Sequence, residues 1–396
     1  MLVRFIAALG FASAALTTHS VLAATAAAGS FIADSGFIVS GKFAEGEVIT
    51  VNGNGFGTKA NGARAAYIWD FDKSSDTSAD SRIAVTGNWT ANVRWDSQIA
   101  PANATKALRY VLDAGSDTGT PAGVGGATNN KAITITPPDL YVWSTVRMNF
   151  NGVEATTARK TLYSLYGALT DGLANWNVKG WRIWYNLGQS NANDWMLGYA
   201  DNLLDGNPRA TFERAGQGYD LEFCYNPVDT VFGMPTNKWQ TQEVVLHQSS
   251  AAGVADSFWA FGVNGKLKGR TKDVSRTSSS PGYLTDFYFY QAERTGWKVA
   301  DNKYVAYGFV YVDDSLARAV ITDQATWNTG TTRAVEVQIP LAWSNSQVQM
   351  RMRGGQMTSL AGKYLWIVTP GNTPIRVGQF GGGDKLPMSP GQVTAD

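Results

Sequence analysis

The chain has 396 residues, of which 33 are basic and 32 acidic, so its formal net charge at pH 7 is +1. This near-neutral balance does not favour nucleic acid as a partner, because nucleic-acid binding proteins present a basic surface. Gly (42 residues), Trp (14) and Tyr (16) are abundant, and short alternating apolar runs recur between turn residues. This pattern predicts an all-β sandwich or barrel.

Residues 1–23 have the organisation of an export signal. Arg4 precedes an apolar run over residues 5–16, and Val21-Leu22-Ala23 provides a small-x-small cleavage site. The apolar run is shorter than the roughly 20 residues that span a bilayer, so no membrane insertion is expected. We therefore expect a cleaved signal peptide and a secreted, periplasmic or cell-surface protein. Removing residues 1–23 would leave 32 basic and 32 acidic residues.

Residues 24–66 form the next predicted segment, which contains a strand at 48–51 and the glycine-rich run GNGFGT at 53–58. The strand and the glycines around Phe56 resemble the opening of an IPT/TIG immunoglobulin-like domain. The same glycines superficially match a phosphate-binding loop. A phosphate loop needs a helix directly after it. Residues 59–62 (KANG) do not begin a helix, so phosphate binding is not predicted.

Metal and cofactor signals are sparse. The acidic run WDFDKSSDTSAD contains four aspartates that suit calcium as a ligand, but it lacks the glycine and terminal glutamate of an EF-hand loop. A solvated acidic turn is the favoured interpretation; the four residues are Asp70, Asp72, Asp76 and Asp80. The sole cysteine, Cys224, excludes an intrachain disulfide and, with one histidine beyond residue 23, a zinc site on His and Cys alone. No cofactor is indicated.

Residues 67–313 are predicted to form the main domain. Within them, Asn264-Gly265 separates two strand-like runs and predicts a tight hairpin, because both central residues of a type I′ turn need positive φ. A helical turn or two is predicted around 156–169. The stretch 239–270, with its strand, loop, aromatic strand and Asn-Gly-Lys turn, resembles secreted concanavalin A-like jelly-roll proteins of the polysaccharide lyase and laminin-G-like type.

Residues 314–396 return to short alternating strands and are predicted to be a C-terminal β-module. The runs YVDDSLARAVITD, TRAVEVQIPLAWS and GKYLWIVTPGN resemble the C-terminal part of secreted bacterial and phage-associated jelly-roll proteins. The fold class expected from these resemblances is an all-β, concanavalin A-like jelly-roll sandwich. A smaller immunoglobulin-like β-module, formed by the terminal segments, is expected to accompany it.

His247 is the single histidine beyond the predicted signal peptide, and it lies in the strand-like run EVVLHQSS. That run is similar to the histidine strand of jelly-roll alginate lyases, and FYFYQ at 287–291 to their tyrosine strand. The resemblance implies that His247 and Tyr288 or Tyr290 exchange protons with a uronic acid while Arg214 neutralises its carboxylate. The arginine strand of those enzymes is represented here only by Phe212-Glu213-Arg214.

Strand alternation places aromatic and polar side chains on common faces, as a sugar groove requires. The predicted substrate-binding residues are Trp143, Arg147, Arg182, Trp184, Gln248 and Trp259. The expected partner is a polysaccharide, most simply an acidic one, and the oligomeric state is not predicted. Two alternatives remain: a non-catalytic carbohydrate-binding or adhesive protein, and a structural extracellular component whose tryptophans belong to the core. A glycoside hydrolase is disfavoured because Asp220 and Glu222 lack a third acid at the required spacing.

Overall fold

The computed structural model describes residues 30–59, 67–71, 93–111, 133–149, 159–167, 179–186, 194–199, 238–273, 282–292 and 304–381. All regular secondary structure in these residues is β-strand. The strands are β1 Ser30–Ala33, β2 Ile38–Gly41, β3 Val48–Asn52, β4 Tyr67–Asp70, β5 Val93–Asp96, β6 Ala107–Val111, β7 Ile133–Thr134, β8 Asp139–Asn149, β9 Arg159–Gly167, β10 Lys179–Asn186, β11 Asp194–Tyr199, β12 Trp239–His247, β13 Ser257–Val263, β14 Lys266–Asp273, β15 Leu284–Ala292, β16 Tyr304–Asp313, β17 Arg318–Thr322, β18 Val335–Val337, β19 Ile339–Trp343, β20 Gln347–Arg351, β21 Tyr364–Val368 and β22 Pro374–Gly381.

The larger unit is an antiparallel jelly roll, which confirms the predicted fold class. Its eight-stranded sheet has the order β14-β13-β12-β8-β16-β6-β5, with β4 also paired to β16, and its five-stranded sheet has the order β11-β10-β9-β15-β7. Asn264 and Gly265 have φ values of 50° and 73° and join β13 to β14, so the predicted hairpin is also confirmed.

The predicted helical turn around 156–169 is wrong, because β9 occupies most of that range. This strand pairs with β10 on one side and with β15 on the other. A central strand satisfies its backbone groups through both neighbours, and this tertiary pairing overrides the local helical pattern.

The terminal segments together form a second, smaller two-sheet unit, here called the terminal module. One sheet has the order β1-β22-β21-β17-β18 and the other the order β19-β20-β3-β2. Each sheet therefore combines strands from both ends of the described chain, as the sequence predicted. The predicted domain boundaries at residues 66 and 313 stay predictions.

The core of the terminal module follows strand alternation. Ile49 and Val51 of β3 are fully buried, whereas Val48 is exposed. Phe56, from the glycine-rich run, is also fully buried and joins the same cluster. Burying one such side chain stabilises a fold by roughly 1.5–3 kcal/mol. The glycine-rich run therefore anchors an aromatic ring in a hydrophobic core.

A second core joins the terminal module to the jelly roll. Tyr141, Trp143 and Phe309 of the eight-stranded sheet pack with Val320 and Trp366 of the module. The sheet that contains β17 and β21 is thus buried on both faces, which explains why all five residues of β17 are buried. The module consequently covers one face of the eight-stranded sheet.

Candidate functional site

His247 and Asp139 form a pair at one end of the eight-stranded sheet. His247 is the last residue of β12, Asp139 is the first residue of β8, and the antiparallel register places them opposite each other. Directly opposed residues share a face of the sheet, so their side chains meet. The Nδ1 atom of His247 lies 2.6 Å from Oδ1 of Asp139.

The imidazole of His247 is held on a second side by Phe258. The two rings are stacked, with centroids 5.5 Å apart and an angle of 14° between their planes. The side chains of His247 and Asp139 keep 31% and 21% of their surface exposed. The pair is therefore oriented by its neighbours and still open to solvent, as a proton-transfer group requires.

The carboxylate of Asp139 raises the pKa of His247 above its ordinary value of 6.5, chiefly through their hydrogen bond, while partial burial opposes the shift. Asp256 also favours the charged imidazole at longer range. In the neutral tautomer that donates Nδ1–H to Asp139, the other ring nitrogen, Nε2, is the basic atom. The arrangement can accept a proton at Nε2 and stabilise the resulting cation.

The loop 248–256 borders this pair and is fixed by polar contacts. The backbone N–H of Gln248 donates to the carbonyl of Pro138 at 2.9 Å. The N–H of Ser250 donates to the carboxylate of Asp256, also at 2.9 Å. Tyr283 donates its hydroxyl to the carbonyl of Ser250 at 3.4 Å, which places a tyrosine beside the loop that follows the histidine.

The predicted acid and base residues are distributed over two sheets. His247 belongs to the eight-stranded sheet, whereas Tyr288 and Tyr290 belong to β15 of the five-stranded sheet. Arg182 and Trp184 lie on β10 of that same five-stranded sheet. Backbone pairing therefore does not bring the histidine strand and the tyrosine strand side by side.

Trp143 differs from the sequence-based expectation. Its side chain is fully buried. Its ring packs edge-on against Phe309 at a centroid distance of 6.0 Å, and the guanidinium of Arg353 lies 5.2 Å from its centre. A ring enclosed in this way is a core residue, because a sugar-stacking platform needs an exposed aromatic face. The terminal module is what covers it.

The remaining predicted substrate-binding residues occupy different places. Gln248 is fully buried next to the histidine. Arg147 is half-buried near the far end of β8, where it pairs with Trp239, while Trp259 pairs with Leu246 on β13. Arg214, predicted to bind a carboxylate, lies outside the described residues, as does Cys224.

Sequence reasoning missed Asp139 and Tyr283 as members of the site. Asp139 opens the run DLYVW, and nothing in that run marks it as the partner of a histidine 108 positions later. The register that joins them arises only when β8 and β12 pair. Tyr283 lies just before β15, close to the tyrosines that sequence similarity had favoured.

The described residues contain no group of three or more His, Cys, Asp or Glu side chains placed to hold a metal ion. Asp70 ends β4, whereas the other three aspartates of the acidic run lie outside the described residues. In the described part of the chain, no helix has the length and apolar character that crossing a membrane requires.

No protein-family model matches this chain, and no curated protein matches it. Several solved structures are similar to it. The PL-14 alginate lyase from Aplysia kurodai is 12% identical with a TM-score of 0.40, over 63% of this chain and 99% of that one. The cellulose-induced protein Cip1 is 14% identical with a TM-score of 0.36, over 63% and 97%. The alginate lyase vAL-1 from Chlorella virus is 11% identical with a TM-score of 0.32, over 56% and 89%. Likenesses at this level assign neither a family nor an activity.

Proposed function

We propose that the protein is a secreted polysaccharide lyase that recognises an acidic, uronate-containing polysaccharide and cleaves it by β-elimination. The observation that carries this proposal is the pairing of His247 with Asp139. A partly exposed imidazole that is oriented by a carboxylate and backed by an aromatic ring has the properties of a general base.

In the proposed reaction, Nε2 of His247 removes the proton from C5 of a uronate ring. The electron pair of the broken C5–H bond forms the C4=C5 double bond, and the bond from C4 to the glycosidic oxygen breaks. The leaving oxygen then takes up a proton from a tyrosine. Asp139 keeps the imidazole in the required tautomer and stabilises its charged form after the proton has moved.

Tyr283 is the tyrosine proposed for the second proton transfer. Its hydroxyl contacts the carbonyl of Ser250, three residues after His247, so it lies next to the loop that borders the pair. Tyr288 and Tyr290 are the alternatives implied by sequence similarity, and they lie on β15 of the other sheet. Replacing each tyrosine in turn with phenylalanine distinguishes these assignments.

The second candidate function is glycan binding without catalysis. The distribution of His247 and the two predicted tyrosines over different sheets favours it, because an acid and a base that act on one sugar must face the same groove. In this case the protein retains an acidic polysaccharide and releases no product.

The test is to incubate the chain without residues 1–23 with alginate, pectin, glucuronan and glycosaminoglycans and to follow the absorbance of unsaturated uronate products. We expect product from at least one polymer and a loss of at least 100-fold in rate for His247→Asn, with an unchanged fold by near-UV circular dichroism. Arg351→Gln, an exposed change on β20, is the matched control and keeps full activity. A flat trace with every polymer overturns the lyase proposal, and retention on the same polymers in an affinity column then supports the binding function.

A further inference from the structure

A cavity of about 450 Å³ lies where the terminal module meets the jelly roll. Thr241 of β12 and Asn264 of the hairpin turn line it from the jelly roll. Residues 332–336 and the segment 356–363 contribute lining side chains from the module. Its volume falls within the range of about 300–1,000 Å³ that is typical of small-molecule sites. It is a feature separate from the histidine pair: Thr241 and His247 are six positions apart on one strand, or about 20 Å at ~3.4 Å per residue.

Arg333 is the residue in this cavity whose bonding is incomplete. Its side chain is 3% exposed. Its Nε–H donates to the carbonyl of Gly265 at 3.0 Å, and its guanidinium lies 4.2 Å from the centre of the Trp327 ring. The two terminal nitrogens, Nη1 and Nη2, have no hydrogen-bond partner. A buried guanidinium left in this state is costly, because its N–H groups have lost water without gaining an acceptor.

The charges around Arg333 leave room for an anion. Among the described residues, no carboxylate lies within 4.0 Å of it. Glu243, a buried carboxylate that acts on Arg333 electrostatically, already accepts a hydrogen bond from Tyr141 at 3.0 Å and lies 3.8 Å from Arg318. Two buried arginines thus share one glutamate on this side of the cavity.

The other charged groups near the cavity do not satisfy Arg333 either. The carboxylate of Glu336 is bound to Arg353 at 2.6 Å and to the N–H of Gln356 at 2.7 Å. Asp323 accepts from the N–H of Ala334 at 3.0 Å. Lys363 adds a further cation to the lining. The electrostatic environment of the cavity therefore favours a negatively charged ligand.

We infer that this cavity binds a small carboxylate-bearing, hydroxyl-rich ligand of the uronic acid class. A carboxylate offers two oxygens in the geometry that the free Nη1 and Nη2 groups of a guanidinium match. The polar lining from Thr241, Asn264, Thr332 and Thr358 supplies hydroxyl and amide partners for the hydroxyl groups of the ligand. The inference does not require that the protein be a lyase, since it rests on a different part of the molecule.

The test is isothermal titration of the chain without residues 1–23 with galacturonate, with glucose as the neutral analogue and with inorganic phosphate as a simple anion. We expect galacturonate to bind, glucose not to bind, and phosphate to bind at least tenfold more weakly. Arg333→Gln is expected to weaken galacturonate binding at least tenfold, whereas Arg351→Gln, an exposed arginine in the same module, leaves it unchanged. Equal binding of phosphate and galacturonate overturns the assignment to a sugar acid.

Two further variants keep the inference testable if Arg333→Gln does not fold. Ala361→Trp fills the cavity from its exposed side, and Lys363→Gln removes a lining cation that has no hydrogen bond in the described structure. Both are expected to reduce galacturonate binding with an unchanged fold. His247→Asn separates the two proposals: if it abolishes galacturonate binding while Ala361→Trp does not, the cavity inference is wrong and the proposed histidine site is supported.

Discussion

The ammonium group of Lys59 contacts the carboxylate of Asp313 in the interior of the protein, where 1% and 0% of their side chains are exposed. The same ammonium donates to the carbonyl of Ala317 at 3.2 Å, and the hydroxyl of Tyr311 donates to Asp313 at 2.5 Å. Lys59 ends the first described stretch of the chain and Asp313 ends β16. The contact thus joins the glycine-rich segment to the point where the chain leaves the jelly roll.

Lys59→Met is expected to lower the free energy of unfolding by about 3–5 kcal/mol, because it leaves a buried carboxylate without its cation. Burial already raises the pKa of Asp313, and Lys59 opposes that rise. The loss should therefore be larger at pH 8, where the carboxyl of the variant is forced to ionise, than at pH 5. Urea unfolding at both pH values measures it. Recovery of part of the stability by Lys59→Met with Asp313→Asn is the control, and a loss below 1 kcal/mol would contradict the argument.

Trp143→Ala is expected to destabilise the protein by about 3–5 kcal/mol, because it opens a cavity between the eight-stranded sheet and the terminal module. The ring is fully buried against Phe309 and beneath Arg353. Thermal and urea unfolding measure the loss, and Trp143→Phe, which fills most of the volume, should cost less. A variant of normal stability that binds polysaccharide poorly would instead restore the sugar-platform role.

Local patterns predicted those parts of the structure that local chemistry determines. The Asn264-Gly265 turn follows from two residues that tolerate positive φ, and the β3 core residues follow from alternation over five positions. The joining of the two chain ends into one module was also predictable, because each end contained an incomplete set of strands.

The rest of the site depends on pairing between distant strands. The contact of His247 with Asp139 exists because β12 lies beside β8 in one particular register, and a shift of one residue would separate them. The burial of Trp143 depends on a third sheet that packs over its strand. Alternation indicates that two faces exist, but it does not show which of them a neighbouring unit covers.

Asp139→Asn is expected to lower the pKa of His247, because it replaces the charged acceptor that raises it most. The raised pKa means that the pair stabilises the folded state below about pH 6.5, the ordinary histidine value, and that this contribution is lost as pH rises through the folded-state pKa. Titration of the imidazole by NMR measures the shift. If the protein is a lyase, the rising limb of its pH–rate profile should move to lower pH in the same variant. An unchanged imidazole pKa would show that Asp139 does not set the protonation of His247.

Glu336 is expected to make stability depend on pH in the opposite sense from an exposed carboxylate. Burial raises its pKa from 4.5 to about 7, although Arg353 and the N–H of Gln356 both favour its charged form. Because the unfolded chain releases this proton first, the contribution of Glu336 is fully present below about pH 4.5 and is lost as pH rises through 7. At 1.36 kcal/mol per pKa unit, the loss amounts to about 3 kcal/mol.

Glu336→Gln removes this titration, since an amide in the same place still offers an oxygen to the backbone N–H but carries no charge. The difference in unfolding free energy between the variant and the natural protein should therefore shift in favour of the variant by about 3 kcal/mol between pH 4.5 and pH 8. Urea unfolding across that range measures it, with Glu47→Gln on the exposed surface as the matched control, for which no such change is expected. A constant difference between the two proteins across the range would show that Glu336 is ionised throughout, and that its contacts with Arg353 and Gln356 outweigh the cost of burial.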